Sequence, residues 1–310
     1  MRTQVTPPTT VVRIITPDDL PRAPSNAIQT LRALRRSPVG LIGVTIVAVV
    51  LLLAVFGESI VPFAPDENNL RARFMAPGFV APDGRTHLLG TDQLGRDIYS
   101  RVIVGSTVSV LVGVVSVLIA GTIGVVIGLV AGFFGGWIDD VLMRIADGLL
   151  SIPFIILVVA ISGILSPGLG TLMLILGLTG WVTYARVIRG EVLKTRELDY
   201  IVAAYAIGQT RANVIFRHIL PNVISSAVIL AASQVGITIL AESSLSFLGL
   251  GVRSPTVTWG LMLADGRQYI NSAWWMTTYP GVAITITVLG VVFLGDWLRD
   301  VLDPKVRGRN

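Results

Sequence analysis

The residues able to do chemistry are few, and their spacing narrows what they can do. His87 and His218 are the only histidines among 310 residues, and cysteine is absent. Disulfides and thiolate metal sites are therefore excluded. The only lysines are Lys194 and Lys305. No G-x-x-x-x-G-K-[ST] pattern occurs, so no phosphate-cradling loop can be built. Gly90-Thr91-Asp92 and Gly95-Arg96-Asp97 look like catalytic fragments, but no base or nucleophile accompanies them. Two patterns remain. Gln234, Thr238, Glu242 and Ser246 recur at four-residue steps, which places them near one helical face. A carboxylate in an apolar run is costly and points to function. This face is expected to border a translocation path or a partner subunit; the alternative is a structural Glu242, near an interface or paired with a neighbour. Asp139, Asp140, Arg144 and Asp147 can pair along a helix, and a structural role is favoured for them.

A third feature is the stretch AAYAIGQTRANVIFRHILP, from Ala203 to Pro221. Ala203 to Ile207 reads as a short helix. Gly208 ends it, because glycine tolerates the left-handed conformation of a helix end. Thr210 can cap a second helix. Val214, Ile215, Ile219 and Leu220 fall near one face of that helix, with Arg211 and Arg217 elsewhere. Pro221 suits the first turn of the next element. Such a unit fits docking, since a protein pushing on it would move the helix that follows; the alternative is a plain loop.

The elements that hold these residues are apolar. Of the residues, 53% are hydrophobic and only 14% charged, against about 25% charged in soluble domains. The net charge is +5, and the basic residues cluster beside apolar runs rather than in one patch, which speaks for membrane topology and against nucleic acid. Apolar runs lie at about Val39–Gly57, Gly105–Phe134, Val141–Leu165, Leu169–Val187, Val223–Leu250 and Gly281–Leu294. A run of this length crosses about 30 Å of hydrocarbon as a helix. The expected fold is an all-α integral membrane protein with six transmembrane helices and both termini cytoplasmic. Arg32, Arg35 and Arg36 precede the first span, and Arg186, Arg189, Lys194 and Arg196 end the fourth. Arg299, Lys305, Arg307 and Arg309 follow the sixth. The segment Glu58–Arg101 and a loop with Trp259, Trp274 and Trp275 belong outside, the Trp pair suiting an interface. His87 and His218 then lie on opposite sides and cannot share a metal or a triad. Asp296 and Asp300 are expected at the inner interface. Gly121, Gly124, Gly128 and Gly132 suit close helix packing, or reflect only the frequency of glycine in such helices. Residues 1–27 read as a polar, flexible tail without a signal peptide. Residues 28–104 hold the first helix and outer loop, 105–297 the transmembrane domain, and 298–310 a cytoplasmic tail.

The Ala203–Pro221 stretch resembles the "EAA" coupling motif of ATP-binding-cassette importer permeases. Ala203, Ala204, Gly208, Leu220 and Pro221 fall at matching positions, His218 replaces the usual Ile, and Val202 stands where the motif has Glu. HLLGTDQLGRDIYSRVIVGS (His87–Ser106), ESSLSFLGLGV (Glu242–Val252), TWGLMLADGRQYI (Thr258–Ile270) and LGDWLRDVLDP (Leu294–Pro304) are similar to the dipeptide, oligopeptide and nickel branch, in its C-type subunit. The resemblance covers roughly residues 28–304. It implies the type I importer permease fold, with Ala203, Ala204, Gly208, Arg211, His218, Leu220 and Pro221 coupling to an ATPase. It implies as partners a second homologous permease, ATP-binding subunits carrying ATP and Mg, a solute-binding protein, a short peptide substrate and the lipid of a bacterial-type cell membrane. No cofactor is expected in this chain. Nickel chelates, opines or oligosaccharides are alternative substrates. An ion-driven secondary transporter is the rival class; it predicts paired broken helices, which the sequence does not display.

Overall fold

A computed structural model describes residues 34–35, 37–165 and 168–302. The tail 1–27, Arg32, Arg36, Lys305, Arg307 and Arg309 lie outside the described residues. Helix α1 (Pro38–Ile60) starts at Ser37, whose hydroxyl accepts from Gly40 N at 3.1 Å, with Pro38 in the first turn, where a missing N–H costs nothing. A small segment between α1 and the next long helix follows, with an antiparallel pair of two-residue strands, β1 (Phe79–Val80) and β2 (Thr86–His87). Helix α2 (Ile98–Phe134) is capped by Asp97. Helices α3 (Gly136–Ser151) and α4 (Phe154–Ile164) lead to α5 (Leu169–Thr195). Then come α6 (Asp199–Ala206), α7 (Arg211–Val214), a π-helical turn at Ile215–Ile219 and α8 (Leu220–Phe247). Helix α9 (Trp259–Gly266) and α10 (Trp275–Leu302) complete the order. α10 carries residues 298–302 as helix, so the last element runs past the end of its apolar stretch.

Glycines set the arrangement, because close contacts fall where a side chain is missing. An added Cβ at Gly124 would strike Tyr184 and Trp181, at Gly128 Ala185 and Ile188, and at Gly132 Val192. Residue numbers rise together on the two helices, so α2 and α5 pack in parallel. Such seams let two backbones approach closely and rest on van der Waals contact. Gly40 meets Trp297, Gly43 meets Leu294 and Gly290 meets Ile46, so α1 and α10 are antiparallel. Gly57 lies on Ile103, and the Thr107 hydroxyl donates to Ala54 O at 2.7 Å, so α1 and α2 are antiparallel too. Gly295 meets Ser233 and Gly236 meets Val288, which makes α8 antiparallel to α10. Thus α2, α5 and α10 run one way, and α1 and α8 the other. The start of α1 and the end of α10 share one end of the bundle.

Among the described residues, five helical stretches are long and apolar enough to cross a membrane: α1, α2, α5, Arg211–Phe247 and α10. The third apolar run departs from the single straight helix its composition predicts. It is two helices bent by 92° at Ile152–Pro153. Pro153 cannot donate the next helical hydrogen bond, and the residue before a proline is driven to extended backbone. Because α2 and α5 are parallel, this bent pair and its flanking loops return the chain along their length. The charges on α3 also differ from the expected pattern. Asp139 grips Arg189 of α5 with both oxygens, at 2.5 and 2.6 Å, and Asp147 pairs with Arg186 at 2.6 Å. They tie α3 to α5 instead of pairing along α3, while Arg144 is exposed. Asp296 and Asp300 are exposed at the end of α10.

Candidate functional site

The structure gathers the chemistry-bearing residues into two clusters at opposite ends. At the end shared by Phe134, Thr195 and Leu220, the Ala203–Pro221 stretch forms a braced turn. Gly208 has φ of 82°, Gly208 N–H returns to Tyr205 O at 2.9 Å and Gln209 N–H to Ala204 O at 3.1 Å. These bonds satisfy carbonyls that the end of α6 would leave open. Thr210 Oγ accepts from Asn213 N at 3.3 Å and caps α7. Gln209 Oε1 accepts from His218 Nε2 at 2.9 Å and from Asn213 Nδ2 at 3.1 Å. His218 therefore staples the turn to the helix that becomes α8. Pro221 sits in the first turn of α8, as expected, and α8 continues the helical run from Arg211 without a break. The π-helical turn before it places Leu220 N–H on Ile215 O, and Asn222 Nδ2 donates to His218 O at 2.6 Å. Both features accommodate a proline inside a helix. Asn222 also donates to Tyr200 Oη at 3.1 Å. Gln209, Asn213, Asn222 and Tyr200 escaped the sequence reading, since each acts across the turn rather than at a helical repeat.

The apolar face of the second helix points inward. Val214 and Ile219 are fully buried with Ala204, Ile201, Ile188, Val192 and Val223, and Leu220 and Ile215 are half-buried. Close packing of this cluster ties α6, α7 and α8 to α5. The apolar side chains left in the open are others: Ile207 at 77% exposure, Phe216 at 67% and Val202 at 59%. Ala203, Arg211 and Pro221 are exposed beside them. Of the coupling residues singled out from sequence, Ala204 and Leu220 thus hold the turn, while Ala203, Arg211 and Pro221 lie on its surface.

At the other end, the Gln234–Ser246 row divides. Gln234 and Thr238 are half-buried, whereas Glu242 is 0% exposed and Ser246 1%. Glu242 is enclosed within this chain. Its Oε1 accepts from Ser246 Oγ at 2.7 Å and its Oε2 from Ser243 Oγ at 3.3 Å, and the Thr258 hydroxyl donates to it as well. Thr258 is the N-cap of α9, accepting from Leu261 N at 3.1 Å. Gly260 packs directly on Ser243 and Ser246, and Gly251 on Ser246. The carboxylate thereby joins α8 to α9. Packing by α9 and α10 sets the rotation of α8, so the open face runs through Ile237, Leu240 and Ser244 instead.

Around this joint the segment between α1 and α2 is charge-balanced. Arg96 Nε donates to Asp92 Oδ2 at 2.6 Å and Arg96 Nη2 to Asp265 of α9 at 3.4 Å; Arg101 lies 3.7 Å from Asp92 and donates to Pro65 O at 3.0 Å. His87 Nδ1 and Asp97 Oδ1 are 2.9 Å apart, and Asp97 Oδ2 accepts from Ser100 N–H and Ser100 Oγ. The fragments that mimic catalytic ones therefore cap and anchor α2. Asp83, on the hairpin turn, has its carboxyl held below the usual range by the backbone N–H and the guanidinium of Arg85. Only Trp274 of the three tryptophans is open, at 50% exposure. Trp259 Nε1 donates to Val102 O and Trp275 Nε1 to Thr91 O, so both serve as internal pins rather than interface anchors. His87 and His218 sit at opposite ends of α2, and no group of three or more metal-ligating side chains occurs among the described residues.

Comparison with known proteins bears on both clusters. Residues 124–308 match the family described as binding-protein-dependent transport system inner membrane component, and residues 25–77 match the N-terminal transmembrane domain of oligopeptide transport permease C. The chain is 37% identical over 284 residues to the probable D,D-dipeptide transport system permease protein DdpC of Escherichia coli K12, covering 92% of this chain and 93% of the relative. It is 39% identical over 273 residues to the dipeptide transport system permease protein DppC of Escherichia coli K12, covering 88% and 91%. It is 35% identical over 273 residues to the oligopeptide transport system permease protein OppC of Bacillus subtilis 168, covering 88% of each. Among solved structures, an inward-facing form of the MetNI methionine ABC transporter matches 65% of this chain and 96% of its own with a TM-score of 0.53, at 22% identity. That likeness concerns the fold. Taken with the parallel α2–α5 seam and the braced Gly208 turn, these matches establish that the chain belongs to the binding-protein-dependent transport system inner membrane components.

Proposed function

We propose that the chain is one permease subunit of an ATP-driven importer of short peptides in a bacterial-type cell membrane. It crosses six times, the α3–α4 pair supplying one crossing, with both termini cytoplasmic. A homologous second permease completes the pathway, and a solute-binding protein delivers ligand from outside. ATP and Mg belong to partner subunits. The carrying observation is the Gly208 turn: Ile207 and Phe216 stand exposed beside a turn braced by His218 and Gln209. Large apolar groups on a rigid, water-facing turn call for a partner surface, here a cleft of an ATP-binding subunit. Because α7, the π-helical turn and α8 are continuous, motion at the turn passes into α8 without slack. Alternating access follows when closure of the ATPases moves two such turns apart or together. The peptide assignment rests on the relatives, whose names specify dipeptides and oligopeptides.

The test is reconstitution of the complete complex in liposomes and uptake of labelled di- to pentapeptides with and without internal ATP. Uptake should require ATP. Gly208→Leu should uncouple ATP hydrolysis from uptake without loss of assembly, since an added Cβ meets nothing within 4 Å and only the positive φ is penalised, by about 1–2 kcal/mol. Uptake driven by a proton gradient in the absence of ATP would refute the importer reading. ATP turnover with no peptide entering would refute the substrate class.

A further inference from the structure

The outer half of α8 has one face without a partner in this chain, through Ile237, Leu240, Ser244 and Leu248. There α8, α9 and α10 enclose an open groove of about 410 Å³. Its walls include Leu240, Ser243, Ser244 and Phe247 from α8, Leu263 from α9 and Ile284 from α10. The volume lies in the range of small-ligand sites, and mostly apolar walls with a few polar groups are typical of them. Over one of these wall residues, the Arg267 guanidinium lies 5.2 Å from the centre of the Phe247 ring. Leu263 and Arg267 are four residues apart, on one side of α9 and the turn that continues it. Arg96 and Arg101 both have carboxylate partners, but Arg267 has no ion pair among the described residues. Ser244 Oγ donates to Leu240 O at 2.8 Å and Ser243 Oγ to Glu242, which leaves both oxygens able to accept from a ligand N–H.

A guanidinium without an ion pair, stacked on a wall residue of an apolar groove, matches a molecule with a carboxylate at one end and an apolar group beside it. The carboxylate takes paired N–H donors from arginine, and the apolar group leaves water. We propose that this groove is a ligand subsite for the C-terminal residue of a short peptide, its carboxylate on Arg267 and an apolar side chain against Leu240, Phe247 and Leu263. The assignment rests on the peptide-import reading and adds a preference within it: apolar C-terminal residues with a free carboxylate.

The test uses the complete complex in nanodiscs without solute-binding protein, and an Ala-Leu dipeptide whose leucine side chain carries a diazirine. After irradiation, label should map to residues 240–248 or to Leu263. Arg267→Gln should lower labelling about tenfold or more, the scale of one lost charge-assisted contact, and Arg267→Lys less. The C-terminal amide of the probe should label as weakly as Arg267→Gln does. Leu240→Trp, which fills the groove, should abolish labelling in complexes that still assemble. Label elsewhere, or label indifferent to Arg267→Gln, overturns the proposal. So does efficient cross-linking of Ser244→Cys to the second permease, which would make the groove a subunit seam. ATP-driven peptide uptake by the same complex separates the two readings: uptake without groove labelling removes the subsite alone, and absence of uptake removes both.

Discussion

Glu242 shows how a residue's type can be legible while its orientation is not. The sequence marks it as an unusual carboxylate in an apolar run, and the four-residue spacing to Ser246 is a real contact at 2.7 Å. The direction of that face depends on α9, whose Thr258 reaches the same carboxylate. Three hydroxyls and no cation among the described residues surround it, so its work is accepting hydrogen bonds. Glu242→Gln keeps an acceptor and offers an N–H₂ that a serine oxygen can take. Glu242→Ala leaves buried hydroxyls without partners and opens a cavity, at roughly 2–3 kcal/mol. Thermal unfolding of the purified complex should therefore be near wild type for Glu242→Gln and clearly earlier for Glu242→Ala. Equal damage from both would mean that the charge itself is needed, and the joint between α8 and α9 would not explain it.

Helices follow the sequence more closely, with instructive exceptions. The four-residue glycine spacing on α2 announces a seam, and Gly124, Gly128 and Gly132 do lie against α5. Spacing identifies such a face but not its partner, because α5 is more than thirty residues away. A Cβ at Gly128 would come within 2.5 Å of Ala185 O and 2.9 Å of Ile188 Cβ. Backbone cannot yield as a side-chain tip can, so Gly128→Leu should cost at least about 1–3 kcal/mol. Protease resistance of the complex in detergent should fall, whereas Gly148→Leu on α3, where an added Cβ meets nothing within 4 Å, should leave it unchanged. Full resistance in Gly128→Leu would show that the two helices can separate at no cost. The bend at Ile152–Pro153 and the Asp139–Arg189 pair were harder to read. Continuous apolarity hides a bend, since lipid and protein neighbours favour the same side chains. An ion pair across fifty residues leaves no local pattern.

For the whole molecule, the helix registers narrow the expected position of the bilayer in a way that hydropathy does not. From Ile98 to Ile138 the only ionisable side chains are Tyr99 and Arg101, so sequence allows the membrane to lie almost anywhere along α2. Packing is stricter. Gly57 stands opposite Ile103, and the antiparallel course of α1 brings Gly40 level with about Ala120 of α2. A second route agrees: Gly40 meets Trp297, Gly295 meets Ser233, and the neighbouring Leu230 and Ala231 pack with Tyr184, Val117 and Ala120. Since α1 begins beside Arg35 and is just long enough to span, this level is the expected position of one membrane surface. α2 then continues to Phe134, some 20 Å further. On that reading α2, with α3, the ends of α5 and the Gly208 turn, is expected to stand as a stalk outside the hydrocarbon. Because the chain lacks cysteine, single cysteines report on this directly. In inside-out vesicles carrying the complete complex, Val126→Cys, at 56% exposure, should react with a membrane-impermeant maleimide, as should Trp137→Cys. Val114→Cys should stay unreactive, and Leu88→Cys should react only in right-side-out vesicles. Protection of Val126→Cys to the same degree as Val114→Cys would place the bilayer along the whole of α2 and remove the stalk.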